Sequence, residues 1–277
     1  MTTVSVDEKS LPAADKNHSG LAFRIEPVVS VALAAALVGF LEYATRAGWI
    51  SDIVLPRPSR VAWVLVDGFS TGFFQQHIIS TLSSLALGFV CAFLAAVVVA
   101  SVLTSSQFLE RVFLPFIVAF QSLPKVAIAP LIVLWLGFGD LSKVTIVAIV
   151  CFFPIMVNTM QGLRVRDRDH YDLFRSLGAK PHQMFFRMRL PHAVPFISAG
   201  AQIGVIFALI GAVVAEFLGA NSGLGFALIQ AKAQFDVPGV YACLVLLMAV
   251  GLLLHFITSL VERRISFWLH DQSRIQI

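Results

Sequence analysis

Long apolar runs alternate with short polar segments along most of this chain. Four runs are long enough to span a bilayer, at about 77–103, 144–163, 192–218 and 238–261, since a helix needs about 20 apolar residues to do so. A further run opens the chain, and we interpret residues 27–46 as an uncleaved first transmembrane helix. A signal peptide is the weaker interpretation, because four acidic residues precede the run where a short basic start is expected.

Another apolar stretch, 112–138, is interrupted by Gln121–Lys125 and by Pro130. Proline removes a backbone hydrogen bond and bends a helix. The pattern therefore predicts a span that breaks near Pro124 and re-enters the membrane before Gly137. With this span the fold is all-α, a polytopic bundle of about six transmembrane helices, five of them within a core at 75–265. Residues 47–74 are expected to form an extracytoplasmic loop with room for a short amphipathic helix.

Composition and charge agree with a membrane bundle. The chain of 277 residues is 58% hydrophobic and 13% charged, whereas soluble domains carry about 25% charged residues. The net charge of +4 comes from basic residues gathered at loops and ends rather than on a soluble face, which argues against nucleic acid. By the positive-inside rule, both termini (1–26 and 266–277) and the loop 164–191 are expected to be cytoplasmic.

The loop 164–191 is polar, and its residues are spaced as the caps and ends of short helices. Asp167 or Asp169 is placed to cap a short helix over about 170–177, and Gly178 follows where a left-handed residue ends a helix. Pro181 suits the start of a second short helix, and Pro191 is expected to open the next span. Two interpretations remain open: a hairpin that lies on lipid headgroups, or a surface that docks into the groove of a partner.

The spacing of this loop resembles that of inner-membrane permease subunits of binding-protein-dependent ABC transporters. Their loop has the form E-A-A, three residues, Gly, nine residues, I-x-L-P. Here Asp172-Leu173-Phe174 stands at E-A-A, and Gly178 and Met188 follow at the family's spacing. The acid is Asp rather than Glu, and Leu and Phe replace the two alanines. The resemblance implies that the following residues couple this chain to an ATPase: Asp172, Leu173, Phe174, Gly178, Met188, Leu190 and Pro191.

Other stretches are similar to the nitrate, sulfonate and taurine branch of that family. They are Ser122–Lys125, Trp135–Gly139, Ala215–Phe217 and Ser222–Gly225. The branch implies that the substrate is a small anion such as a sulfonate, taurine or nitrate. The alternative is that the same machinery imports a heterocyclic vitamin or pyrimidine precursor. The family also implies a multi-pass protein of the bacterial inner membrane, embedded in lipid.

The chain has no Gly-Lys dipeptide and so no phosphate-binding loop of the G-x-x-x-x-G-K-[ST] type. We therefore expect a transporter subunit that is not an enzyme, without an ATPase site of its own and without a cofactor or metal. The resemblance implies a homodimer of two permease copies, two ATP-binding subunits that use ATP and Mg, and an extracytoplasmic solute-binding protein.

Polar residues inside the apolar spans are candidates for the translocation path or its gate. Glu216 is an acid deep in an apolar run, which usually faces protein or water. The other candidates are Gln121, Lys125, Asn158 and Gln202. Small residues every four positions from Gly200 to Ala212 indicate close helix packing, within one subunit or between two. The chain has no Ser–His or His–Glu set at useful spacing, which argues against an intramembrane enzyme. A channel or secondary transporter would not need the docking loop.

Overall fold

The computed structural model of the chain describes residues 19–164, 174 and 176–265. Every regular element in this part of the chain is helical. The elements, in chain order, are α1 (Ser19–Arg46), α2 (Pro58–Ser70), α3 (Phe73–Ser105), α4 (Gln107–Ser122), α5 (Lys125–Leu136), α6 (Asp140–Arg164), α7 (Pro181–Met184), a π-turn (Phe185–Arg189), α8 (Leu190–Gly219), α9 (Leu224–Ala233) and α10 (Val237–Ile265).

The lengths of these helices confirm the all-α membrane bundle. Five helical stretches of the described chain are long and apolar enough to cross a membrane: Val28–Arg46, α3, α6, Pro181–Gly219 and α10. The pair α4 and α5 forms a sixth if it is counted as one span, and its two arms meet at 89°. The bend falls at Leu123 and Pro124, as the prolines predict, because Pro124 has no N–H to continue the helix.

Residues 1–60 form one compact unit, in which α1 is the main element. The helix begins at Ser19, so it takes in part of the predicted tail 1–26. Its carboxyl-terminal end is joined to the start of α2 by Glu42. The carboxylate of Glu42 accepts hydrogen bonds from the N–H of Ser59 at 3.0 Å and from its hydroxyl at 2.9 Å. A carboxylate in this position satisfies a free donor at a helix start.

The second unit, residues 61–277, is built on α3, α6 and α8. Small residues let these helices approach closely. On α8 the small residues at four-residue spacing are buried, and a methyl group at Gly204 would lie 2.7 Å from the Ile155 side chain of α6. The stripe thus faces α6 of the same chain, which favours packing within one subunit.

Gly88 of α3 gives a test of this close packing. A Cβ atom at this position would lie 2.6 Å from the Val147 side chain and 2.8 Å from the carbonyl oxygen of Val144. We expect Gly88→Ala to lower stability by about 1–3 kcal/mol, as overpacked sites do. The measurement is thermal unfolding in detergent. Gly251→Ala is the control, because its Cβ would meet only the end of the flexible Leu209 side chain at 3.3 Å. Equal melting temperatures for the two variants would contradict this description.

Pro191 lies in the first turn of α8, as predicted for the start of the fifth span, but no break separates α8 from the second loop helix. Helix α7, the π-turn and α8 run on as one helical stretch of 39 residues, Pro181–Gly219, so Pro191 lies inside it. The π-turn explains how this proline is accommodated: the N–H of Leu190 bonds back to the carbonyl oxygen of Phe185, five residues earlier. Such a widened turn relieves the crowding that a proline ring causes.

The turn at Gly178 is confirmed. Gly178 has φ +72°, and the N–H of Ala179 donates to the carbonyl oxygen of Phe174 at 3.1 Å. This is the long bond of a helix end closed by a left-handed residue. Pro181 begins α7, as predicted, and the N–H of Lys180 donates to the side-chain oxygen of Gln183 at 2.9 Å.

Candidate functional site

One end of the second unit is held together by arginines, and we call it the arginine end. Here α3 and α6 end, α4 begins and the π-turn leads into α8. Arg189, the last residue of the π-turn, reaches two of the helix ends. Its guanidinium donates to the carbonyl oxygen of Thr104 at 2.8 Å and to that of Leu163 at 3.0 Å. The last carbonyl groups of a helix have no partner within the helix, so Arg189 satisfies one on α3 and one on α6.

A second arginine joins α6 to α4. The Nε atom of Arg164 lies 2.6 Å from a carboxylate oxygen of Glu110, in the first turn of α4. A cavity of about 330 Å³ opens beside this pair. Its lining within the described residues is polar: Gln107, Glu110, Arg111, Arg164 and Arg189.

Five of the seven predicted coupling residues lie in the described part of the chain; Asp172 and Leu173 lie outside it. Phe174 and Gly178 form the turn described above. Met188 and Leu190 are partly buried and Pro191 is exposed. The segment is anchored by Phe185, which packs against the main core. It also shows apolar side chains outward, since Leu177 is 75% exposed and Phe186 is 63% exposed.

The opposite end of the second unit contains a buried polar network around Glu216, and we call it the Glu216 end. One carboxylate oxygen of Glu216 accepts the hydroxyl of Thr81 at 2.7 Å, and the other accepts the N–H of Gly225 at 2.7 Å. The N–H of Leu224 donates to the Thr81 oxygen at 2.8 Å, and that of Gly223 donates to Nδ1 of His77 at 3.0 Å. Side chains of α3 and α8 thus satisfy the free N–H groups at the start of α9.

Glycine is required at one position of this network. Gly223 has φ +127°, a conformation that side chains rarely adopt, and a Cβ atom there would overlap the carboxyl group of Glu216. The carboxyl group therefore occupies the space against the start of α9. Because Gly223 has no side chain, the backbone at the start of α9 can approach the Glu216 side chain of α8 closely.

Lys143 lies at the same end as Glu216 and is, like it, a charged residue with a buried side chain. Its side chain is only 4% exposed, and its ammonium contacts the Asp140 carboxylate at 2.6 Å and the Ser80 hydroxyl at 3.3 Å. Ser80 in turn bonds to the hydroxyl of Ser222 at 2.8 Å. Asp140 and Lys143 both lie in the first turn of α6.

Sequence reasoning missed this network, although α3 carried a signal for it. His77, Ser80, Thr81 and Ser84 recur at helical spacing on an otherwise apolar helix, which places them on one face. His77 and Thr81 are both buried. These side chains join the helices to each other: Nδ1 of His77 accepts the N–H of Gly223, and the hydroxyls of Ser80 and Ser222 bond to each other.

The five predicted residues of the translocation path do not form one site. Glu216 lies in the network described above. The Nζ atom of Lys125 lies 5.4 Å from the centre of the Phe153 ring, near the bend between α4 and α5. Gln121 is exposed just before that bend. The amide of Asn158 donates to the carbonyl of its own helix at Pro154, at 2.8 Å.

Gln202 lies elsewhere and donates to the carboxylate of Glu262 on α10. Glu262 also lines a cavity of about 480 Å³ between α3, α8 and α10, whose other lining residues are mostly apolar but include Ser198 and Thr258. No group of three His, Cys, Asp or Glu side chains is close enough to hold a metal ion among residues 19–164, 174 and 176–265.

Residues 69–267 match the family model described as "Binding-protein-dependent transport system inner membrane component". The chain belongs to this family. It is a permease subunit, not itself an enzyme, and a multi-pass protein of the inner membrane. Partner subunits that bind ATP and a solute-binding protein are implied by the family.

Relatives named for different substrates are similar to this permease over most of its length. The formylaminopyrimidine transport permease protein ThiX of Halalkalibacterium halodurans is 36% identical over 72% of this chain and 80% of its own. The riboflavin transport system permease protein RibX of Chloroflexus aurantiacus is 34% identical, with 86% and 88% covered. A putative aliphatic sulfonates transport permease protein, SsuC of Bacillus subtilis, is 28% identical, with 85% and 86% covered.

The fold of the permease also occurs in a solved transporter. A chain of the inward-facing MetNI methionine ABC transporter aligns with a TM-score of 0.57 at 22% identity. The alignment covers 74% of this chain and 97% of the other. At this identity the likeness concerns the fold alone.

Proposed function

We propose that two copies of this permease form the translocation path of an ABC importer and couple it to ATP hydrolysis by two separate ATPase subunits. The observation that carries the proposal is the segment from Phe174 to Arg189. It shows exposed apolar side chains at Leu177 and Phe186, yet Phe185 and Arg189 fix it to the bundle. A segment with both properties is suited to receive a force from a soluble partner and to pass it on.

The side of the membrane follows from the distribution of charge. The loop 164–191 is rich in basic residues, and its Arg164 and Arg189 lie at the arginine end. Further arginines lie near the end of α10 at Arg263 and Arg264. Loops of this kind stay in the cytoplasm. We therefore place the arginine end and both termini in the cytoplasm, with the ATPases, and the Glu216 end outside, where a solute-binding protein delivers substrate.

The substrate has two candidate classes. A small anion such as a sulfonate, taurine or nitrate is favoured by the motifs of the nitrate, sulfonate and taurine branch and by the relative named for aliphatic sulfonates. A heterocyclic vitamin or pyrimidine precursor is favoured by sequence identity, because the relatives named for formylaminopyrimidine and riboflavin are more similar to this chain. The path residues Gln121, Lys125, Asn158 and Gln202 remain candidates for contact with either class.

Uptake by cells tests the proposal. Cells that carry or lack the permease gene receive labelled taurine, an alkanesulfonate, nitrate, riboflavin or formylaminopyrimidine. We expect uptake of one compound to depend on the gene and on the phosphate-loop lysine of the partner ATPase. Uptake that continues when this lysine is replaced would show a channel or secondary transporter and refute the proposal. The compound transported decides between the two substrate classes.

A further inference from the structure

Arg189 is the last residue of the Phe174–Arg189 segment and contacts the membrane helices. It is the last residue of the π-turn and so belongs to the segment that carries Leu177 and Phe186. Its guanidinium, however, is bonded to the ends of two other helices, through Thr104 on α3 and Leu163 on α6. These bonds join residues that lie 85 and 26 positions away in the chain.

The two residues that accept hydrogen bonds from Arg189 are buried near helix ends. Thr104 is 1% exposed and Leu163 is 0% exposed, so the arginine provides a donor where both residues are shielded from water. Both carbonyls lie at helix carboxyl-terminal ends, where the helix dipole is negative and attracts a cation. A movement of Arg189 away from this position breaks its hydrogen bonds to two buried residues, so displacement of the turn is opposed unless α3 and α6 follow it.

The ion pair between Arg164 and Glu110 extends the connection. It joins the last residue of α6 to the first turn of α4, the arm of the bent span that leads to Gln121. A displacement of α6 is thus passed to α4 at the same end. The arginine end connects the turn to three helices through two guanidinium groups.

We propose that Arg189 is a positioning residue that carries the displacement of the Phe174–Arg189 segment to the ends of α3 and α6, and through Arg164 to α4. The proposal rests on the proposed function, since it requires an ATPase that moves this segment. Arginine is needed because its planar fork donates to two carbonyl groups in fixed directions, whereas the ammonium of lysine is a single point of charge. Charge alone at this position is therefore insufficient.

The test uses the complex of permease and ATPase subunits in proteoliposomes, with the compound identified by the uptake panel. In Arg189→Lys we expect uptake per ATP hydrolysed to fall roughly tenfold, the scale of one lost charge-assisted hydrogen bond. Co-purification of the ATPase and hydrolysis without substrate should stay near wild type. Arg187→Lys is the matched control, because Arg187 lies in the same π-turn and is exposed.

A second measurement does not depend on the substrate. A spin label at Ser105, the exposed last residue of α3, reports the distance between two permease copies in a cysteine-free background. In the wild-type complex and in Arg187→Lys, we expect this distance to change when the ATPases are trapped with ATP and vanadate. In Arg189→Lys the change should be absent or much smaller.

Each outcome decides the proposal. If Arg189→Lys behaves as Arg187→Lys in both measurements, Arg189 does not carry the displacement. If the ATPase no longer co-purifies with Arg189→Lys, the residue serves assembly and the inference is equally wrong. A wild-type complex without ATP-driven uptake and without the distance change would instead refute the proposed function itself.

Discussion

Replacing Gly178 with valine lowers ATP-driven uptake roughly 5- to 30-fold, because a left-handed backbone costs about 1–2 kcal/mol in a residue with a side chain. Gly178 has φ +72° and lies in the turn between Phe174 and α7. Apart from its chain neighbours, no described residue has a heavy atom within 4 Å of a Cβ atom placed there. The effect therefore reports backbone conformation alone and not a steric clash. The measurement is uptake normalised to the amount of permease in the membrane.

Gly178→Asn is the matched control. Asparagine adopts the left-handed conformation more readily than other residues with a side chain, and open space surrounds this position. We expect this variant to keep most of the uptake of the wild type. If valine and asparagine have the same effect, the conformation of this turn is not what the coupling requires.

Removing the carboxyl group of Glu216 destabilises the permease by about 2–5 kcal/mol, because buried groups left unpaired each cost about 1–3 kcal/mol. In Glu216→Ala the hydroxyl of Thr81 and the N–H of Gly225 lose their acceptors. Glu216→Gln keeps one acceptor oxygen and is expected to lose about half as much stability. Thermal unfolding in detergent measures both variants.

Two further variants sharpen this result. Asp67→Ala removes an exposed carboxylate and is expected to change stability by less than about 0.5 kcal/mol. Thr81→Val removes the partner that joins Glu216 to Leu224. Because the two side chains share one hydrogen bond, the double variant Thr81→Val/Glu216→Ala should lose less than the sum of the single losses. Additive losses would show that the two residues act independently.

The features that could be predicted from the sequence are local. The break at Pro124 and the left-handed turn at Gly178 depend on the backbone chemistry of one or two residues, and both are confirmed. The continuation of α7 into α8 was missed because a proline usually begins a helix, and nothing local announces the π-turn that admits Pro191. Helix α9 was also missed, since it lies in a stretch predicted as a loop.

The sites were less accessible to sequence reasoning than the helices. Glu216 was recognised as an acid in an apolar run, but its partner Thr81 lies on another helix that is distant in the chain. Thr81 is 135 positions away and its bond to Leu224 spans 143 positions. The candidates Asn158 and Gln202 bond to Pro154 and Glu262, and the second of these partners lies on another helix 60 positions away.

The sequence by itself determined the family and the all-α class with five to six membrane-spanning helices. These depend on hydropathy and on local spacing, which the order of residues contains directly. Only the tertiary structure decided which faces of α3, α6 and α8 meet, and hence that Arg189 reaches Thr104 and Leu163. The physical reason is that in a membrane the faces toward lipid and toward protein are both apolar. The rotation of each helix is therefore set by packing rather than by pattern.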